Sequence, residues 1–235
     1  MTFGSTFGRV FSPTFKPKSQ AAAASSWWLA GGIDPANCVV AYQPKGAASY
    51  AASKVNLANA GTYDAVDGTS YPDWDATNGW IFDGANAEYL YPNGFYPDKT
   101  NYDWSMIVRF SNASAAVGTN VLLGINDAYD FFYIYAKTGG NHGFGHGNKF
   151  FLPSPNKTSG VLCMAGLECY ANGVHEGTIA TPTVYNQQLL MGIGATMRAN
   201  SPLEYYYGYM QAVAIYNATL TSTQVGLLTT AMAAL

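Results

Sequence analysis

From residue 27 onward, apolar and aromatic residues come in short runs separated by Gly, Asn, Asp and Pro, with no helical segments alternating between them. Residues 80–83 and 89–91 flank Gly84-Ala85-Asn86. Residues 105–110 alternate with the period of a strand, placing Met106, Val108 and Phe110 on one face and Ile107 on the other. The runs 121–125 and 131–136 are rich in β-branched and aromatic residues, which suit a pleated surface. The run 162–171 leads into Asn172-Gly173, the strongest short hairpin signal, because both residues accept positive φ. Runs at 189–193 and 205–216 complete the series. This spacing predicts an all-β chain, an antiparallel β-sandwich of the jelly-roll type rather than a βαβ fold. A chain of 235 residues is long enough for one such domain.

One helix stands apart. Thr221-Ser222-Thr223-Gln224 has the form of a capping box, and Val225, Leu228, Met232 and Leu235 follow on one stripe. The pattern predicts a short C-terminal helix lying along the sandwich as a latch.

Composition narrows the function. Charged residues make up 11% of the chain, against roughly a quarter in an ordinary soluble domain. Disorder is excluded because 49% of the residues are apolar. The longest apolar runs, such as 131–136, are far too short for a membrane-spanning helix. A net charge of −3 with no basic run speaks against nucleic acid as a partner. Cys38, Cys163 and Cys169 are odd in number and lack metal-like spacing, so buried free thiols are expected, although Cys163 and Cys169 could share a sheet face. The first residues do not read as a secretory leader, which predicts synthesis and folding in a cytoplasm. The Asn-x-Ser/Thr triplets at Asn112, Asn156 and Asn217 are read as chance.

Residues 1–26 differ from the rest. Arg9, Lys16 and Lys18 give this segment a charge of +3 with no acid, leaving 8 basic against 14 acidic residues in the remainder. Phe3, Phe7, Phe11 and Phe15 recur every fourth position, and Pro13 and Pro17 block a helix. The segment reads either as a floppy tail or as an extended arm whose aromatics and Arg9 dock on a neighbour during assembly. Exposed Phe is a liability, which favours the arm. The domain is then 27–235.

Residues 79–84 (Gly-Trp-Ile-Phe-Asp-Gly), Tyr89-Leu90 and 104–110 (Trp-Ser-Met-Ile-Val-Arg-Phe) follow one another in an order that resembles the first strands of laminin-G-like, concanavalin A-like domains. The resemblance continues through Tyr170-Ala171-Asn172-Gly173-Val174, 190–194, and the closing 208–221 with its Tyr216-Asn217-Ala218-Thr219-Leu220-Thr221 exit into a helix. Residues 39–42 would be the opening strand. The resemblance covers about 27–235 and implies a jelly-roll sandwich without fixing a ligand.

Catalytic patterns are missing. Glycosidases of this fold type need paired carboxylates, and Glu88, Glu168, Glu176 and Glu204 do not share alternate positions of one strand. The chain is therefore expected not to be an enzyme. Gly143-Phe144-Gly145-His146-Gly147 lacks the Lys and the following helix of a phosphate loop. His142 and His146 would share one face of an extended stretch, where they either pair on a metal or simply face solvent; the second reading is preferred. No cofactor is expected. Some members of the resembled family hold calcium at a rim, and Asp64 with Asp67, Asp73 with Asp75, and above all Asp127, Asn126 and Asp130 are the candidate ligands.

Tyrosine is the candidate binding chemistry. Tyr96, Tyr129, Tyr205 and Tyr206 stand beside Asp, Asn or Glu in loops or at strand ends, the mixture that sugars need: an aromatic face for C–H surfaces and fixed polar groups for hydroxyls. The same residues suit protein–protein contact. Domains of the resembled kind are frequent in tailed-phage particles. The leading expectation is thus a virion structural protein, decorating a capsid or associated with a tail. Its partners would be other virion proteins or copies of itself, and cell-surface glycans. The competing expectation is a secreted or surface-associated carbohydrate-binding module, and the third a glycan hydrolase without a recognised motif.

Overall fold

The computed structural model describes residue 1 and residues 26–235, except residue 85 and residues 99–101, 115–118, 128–129, 139–140 and 184–187; at 119, 127, 130 and 138 only the backbone is described. The arm residues Phe3, Phe7, Arg9, Phe11 and Phe15, and Tyr129, lie outside the described residues.

Two sheets face each other, nearly all of their pairings antiparallel. Among the described residues the first has eight strands: β1 (Cys38–Tyr42), β3 (Asp73–Asp75), β4 (Gly79–Asp83), β6 (Ser105–Ser111), β11 (Gly160–Ala165), β12 (Glu168–Ala171), β13 (Val174–Thr178) and β17 (Tyr207–Tyr216). The second has nine: β2 (Ala65–Asp67), β5 (Leu90–Pro92), β7 (Thr119–Asp127), β8 (Asp130–Thr138), β9 (Asn141–Gly147), β10 (Lys149–Phe151), β14 (Gly192–Ile193), β15 (Thr196–Arg198) and β16 (Ser201–Leu203). The order along the second sheet is β10-β9-β8-β7-β14-β5-β2, and β15 joins β7 through a short parallel pairing.

Alternation decides what each sheet buries. Met106, Val108 and Phe110 of β6 meet Phe132, Ile134 and Phe144 of β8 and β9 in the core between the sheets. Ile107, on the other face of β6, is buried as well: after the one-turn helix α1 (Tyr50–Ser53), the chain ends in helix α2 (Ser222–Ala233), which covers the outer surface of the first sheet. Val225, Leu228 and Met232 of α2 pack there with Trp27 and Ile33, so the molecule has three layers. The capping box forms as read: Gln224 N donates to Thr221 Oγ1, and Thr221 N donates to Gln224 Oε1 at 2.9 Å. The Asn172-Gly173 hairpin also forms, with φ of 51° and 78° at its two central residues.

Some readings fail locally. The run 162–171 is two strands, not one, because Gly166 takes φ 61° and turns the chain between β11 and β12. That turn offsets the cysteines. Cys163 faces α2 and Cys169 faces the inter-sheet core, so they do not share a face; both are free and buried, as is Cys38. Residues 189–191 lie outside any strand, and only Gly192–Ile193 pairs. The histidines of β9 do not face solvent. His142, Phe144 and His146 share the inward face of the strand, and both histidines are fully buried.

Candidate functional site

Among the described residues, no helix covers the outer face of the second sheet over β7–β10. A groove of about 270 Å³ opens there, lined by Asn126, Phe131, Tyr133, Tyr135, Phe150 and Leu152. Its floor follows from strand register. Phe131, Tyr133 and Tyr135 alternate with the core residues Phe132, Ile134 and Ala136, so all three project outward. Opposite them on β9 stand Gly147, Gly145 and Gly143. Gly124 of β7 faces Tyr133 from the other side.

The glycines make space for the rings. A Cβ at Gly145 would sit 2.4 Å from Tyr133 Cζ, and one at Gly124 would sit 2.8 Å from Tyr133 Cβ. The Tyr133 ring therefore lies over backbone that any other residue would occupy. Tyr135 stacks beside it at 4.2 Å between centroids, and Phe131 stands edge-on at 5.4 Å. Phe150, paired across the ladder with Gly145, continues the row and is 58% exposed. An exposed Phe on a short strand is costly in water unless it meets another surface.

Glu204 supplies the fixed charge at this face. Its Oε2 accepts from Tyr135 Oη at 2.8 Å and from Asn126 Nδ2 at 3.0 Å. Thr196 Oγ1 lies 3.1 Å from both Glu204 Oε2 and Leu203 O, so its single hydrogen is shared between them. Glu204 also takes a left-handed φ of 53°, which costs a non-Gly residue about 1–3 kcal/mol and persists where surrounding contacts over-determine it. Burial, and then the Glu204 charge, push the Tyr133 and Tyr135 phenols above the ordinary phenol range. Both stay neutral, and Tyr135 remains a donor at physiological pH.

The expected tyrosines are distributed differently. Tyr206 is fully buried, its ring 5.7 Å from Phe82 in the core, and it has no surface to offer a ligand. The packing against Phe82 and an inward position outweigh its polar sequence context. Tyr205 lies on the outer face of the second sheet, packed with Tyr89, Tyr91 and Met197 beside the groove. Tyr96 is 45% exposed next to Phe95, which packs on Tyr63 and Trp104. Neither lines the groove. Asn126 does line it, but its amide serves Glu204. Asp127 and Asp130 pair across the end of the β7–β8 hairpin, and their side chains lie outside the description. Asp64 accepts from the Asn56 and Gly61 N–H groups, Asp67 from Tyr50 Oη and Lys54 Nζ, and Asp75 from Thr77 N and Asn78 N. Among the described residues, no group of three or more His, Cys, Asp and Glu gathers as a metal site.

The sequence reading assigned Phe131, Tyr133, Tyr135 and Phe150 to no site, and took Glu204 only as an unpaired acid beside the tyrosines that follow it. Its one pointer to them was Gly143-x-Gly145-x-Gly147 directly after an alternating aromatic strand, a pattern that leaves room for rings on a neighbour.

No protein-family model matches this chain, and no curated protein does. Solved structures do. Trypanosoma rangeli sialidase aligns with a TM-score of 0.54 at 14% identity over 82% of this chain, which spans about a third (32%) of that chain. Domain 4 of AbnA, an extracellular arabinanase of family GH43 from Geobacillus stearothermophilus solved with arabinotriose, aligns with a TM-score of 0.51 at 16% identity, covering 83% of this chain and 100% of that domain. The receptor binding domain of botulinum neurotoxin D aligns with a TM-score of 0.56 at 10% identity over 83% of this chain and 53% of its own. At these identities the similarity is one of fold.

Proposed function

We propose that this chain is a non-enzymatic glycan-contacting protein and that it holds sugar on the outer face of its second sheet. The observation that carries the reading is the glycine-floored aromatic row Phe131, Tyr133, Tyr135 and Phe150 beside the anchored Glu204 carboxylate. Flat rings suit the C–H faces of pyranoses, and the carboxylate accepts from hydroxyls. Hydrolysis would need paired carboxylates across the sugar, and the described lining residues include no carboxylate. The fold is shared with a domain solved in complex with arabinotriose and with a neurotoxin receptor binding domain, which supports the reading at the level of architecture.

The setting we propose is a tailed-phage virion, where residues 1–26 would serve as the assembly segment. The Phe repeat and the split between a +3 segment and a −6 remainder support it. A free-standing carbohydrate-binding module is the second reading, favoured by the end-to-end match to the arabinanase domain.

A glycan array probed with the full chain and with Phe150→Ala tests the site. Binding to a defined glycan class that falls by about tenfold in the variant is expected. Array binding that the variant leaves unchanged would move the site elsewhere, and absence of any binding would defeat the glycan reading. Mass spectrometry of purified particles tests the setting. So does removal of residues 1–26: a chain that stays folded but no longer joins particles supports the arm, and one that no longer folds refutes it.

A further inference from the structure

On the opposite side of the molecule, between α2 and the first sheet, lies a second and larger cavity of about 590 Å³. Its walls include Arg109 and Ser111 of β6, Asn172 of the hairpin, Gln211 of β17, and Thr229 and Thr230 of α2. This volume falls within the range of small-molecule sites. None of its described lining residues is acidic.

Two polar groups here are under-used. Arg109 donates one Nη1 hydrogen to the Met232 carbonyl in the last turn of α2, and no carboxylate pairs with it among the described residues. A guanidinium has five N–H donors, so most of its fork is left over. Gln211 is only 8% exposed, and it lines the cavity. Its main chain is otherwise engaged, the carbonyl accepting from Lys45 N. Thr229 Oγ1 is buried and has no hydrogen-bond partner among the described residues. Buried polar groups of this kind are paired in most proteins, and an unpaired one costs about 1–3 kcal/mol. Beside this hydroxyl the largely unused Arg109 fork marks the cavity as a place suited to polar contents.

The chemistry of those contents follows from the donors. Asn172 uses its Oδ1 to accept from Val161 N at 2.9 Å, so its remaining contribution is N–H. Thr230 Oγ1 donates to Gly226 O at 3.0 Å and can still accept. The C-terminal carbonyls of α2 bring a partial negative charge of about half a unit, smaller than the full positive charge on Arg109. The field at the cavity is net positive, and its rim is lined with hydroxyls and amides.

We propose that this cavity binds a small hydroxylated oxyanion, a sugar acid or a sugar phosphate, with the anionic group on the Arg109 fork and the hydroxyls on Gln211, Asn172 and Thr230. Planar bidentate recognition of carboxylate or phosphate is what a guanidinium does best. The site shares no residue with the aromatic groove and stands independently of it.

Titration of the full chain with glucuronate, glucose 6-phosphate and glucose, followed by calorimetry and 15N NMR, tests the proposal. The expected result is 1:1 binding of at least one anion, with shifts at the Arg109 and Gln211 side-chain N–H signals. Glucose should bind at least about tenfold more weakly, as the loss of a charge-assisted pair requires. The relative affinity of the two anions identifies carboxylate or phosphate as the natural group. Gln211→Glu, nearly isosteric and distant from the helix anchor, should weaken the anions by about tenfold or more through like-charge repulsion. Phe150→Ala should leave their binding unchanged. The proposal is overturned if neither anion saturates at millimolar concentration, if glucose binds equally well, if Gln211→Glu has no effect, or if Phe150→Ala abolishes anion binding, which would put the ligand in the groove.

Discussion

Gly145→Ala tests the architecture of the aromatic row at its tightest point. Gly145 has no left-handed φ, so the backbone accepts alanine; the obstacle is the Tyr133 ring. The added Cβ would approach Cζ, Cε1 and Cε2 at 2.4, 2.6 and 2.7 Å. Carbon atoms settle at about 3.5–4.0 Å, so the ring must retreat by about 1 Å or more. It cannot retreat alone, because Tyr135 packs 4.2 Å away and its phenol is tied to Glu204. Overpacking of this kind costs about 1–3 kcal/mol. Alanine recovers about 0.5–1 kcal/mol of backbone entropy relative to glycine in a strand. The expected net loss is roughly 0.5–2 kcal/mol in urea unfolding at 25 °C, together with about tenfold weaker glycan binding. A double-mutant cycle isolates the cause. In a Tyr133→Ala background the clash has no partner, and Gly145→Ala should be neutral or stabilising. Equal destabilisation in both backgrounds would refute the claim that glycine is required there to accommodate the ring.

Glu204→Gln keeps the shape but turns a shared acceptor into a group that must place one oxygen correctly. Glycan affinity should fall several-fold with little change in unfolding free energy, and a large stability loss would show that the carboxylate chiefly holds the turn. Gly173→Ala, at φ 78°, should cost about 1–2 kcal/mol by equilibrium unfolding, and Thr221→Ala about 1 kcal/mol through loss of the capping box. Acid should loosen the sandwich through His142. Its Nδ1 lies 2.8 Å from Pro155 O, an acceptor, so Nδ1 carries the proton and the buried Nε2 has no partner. Burial, chiefly, holds its pKa below the ordinary histidine value; Lys157 lowers it further, while the Pro155 contact and Glu176 act the other way. An unfolded chain therefore binds the proton more readily than the folded one. Stability is full above about pH 6.5 and declines as the pH falls through that value, by up to about 1.4 kcal/mol per pH unit for one histidine. His142→Leu should flatten the slope between pH 7.5 and pH 5, and an unchanged slope would exclude His142 as its source.

Local signals in the sequence carried the fold well. Alternation in 105–110, the Asn172-Gly173 turn and the Thr221 capping box are each written within a few residues, and each formed. The turn at Gly166 was hidden because Leu162 to Ala171 is apolar on both sides of it, both faces of the first sheet being covered. The histidines of β9 misled for a related reason. Polar side chains in a Gly-rich stretch suggest a surface, yet their parity with Phe144 puts them inside. The groove was the least legible feature. Its rings stand on β8 and β10, their glycines on β7 and β9, and its carboxylate 69 residues beyond Tyr135, brought together only by strand register. Tyr206 shows the converse: a triple tyrosine promised a surface, and one member became core.

The layering of the molecule also decides how it would be held. Trp27 is seated under α2 on the outer surface of the first sheet, while the aromatic groove opens on the outer surface of the second. A support that engaged α2 and the outer face of the first sheet would therefore leave the groove turned toward the surroundings. Copies fixed this way around a common support would present their grooves outward in parallel. Weak single contacts with a repetitive polymer would then combine, with gains of roughly 10²–10⁴ over one site when the spacing permits simultaneous engagement.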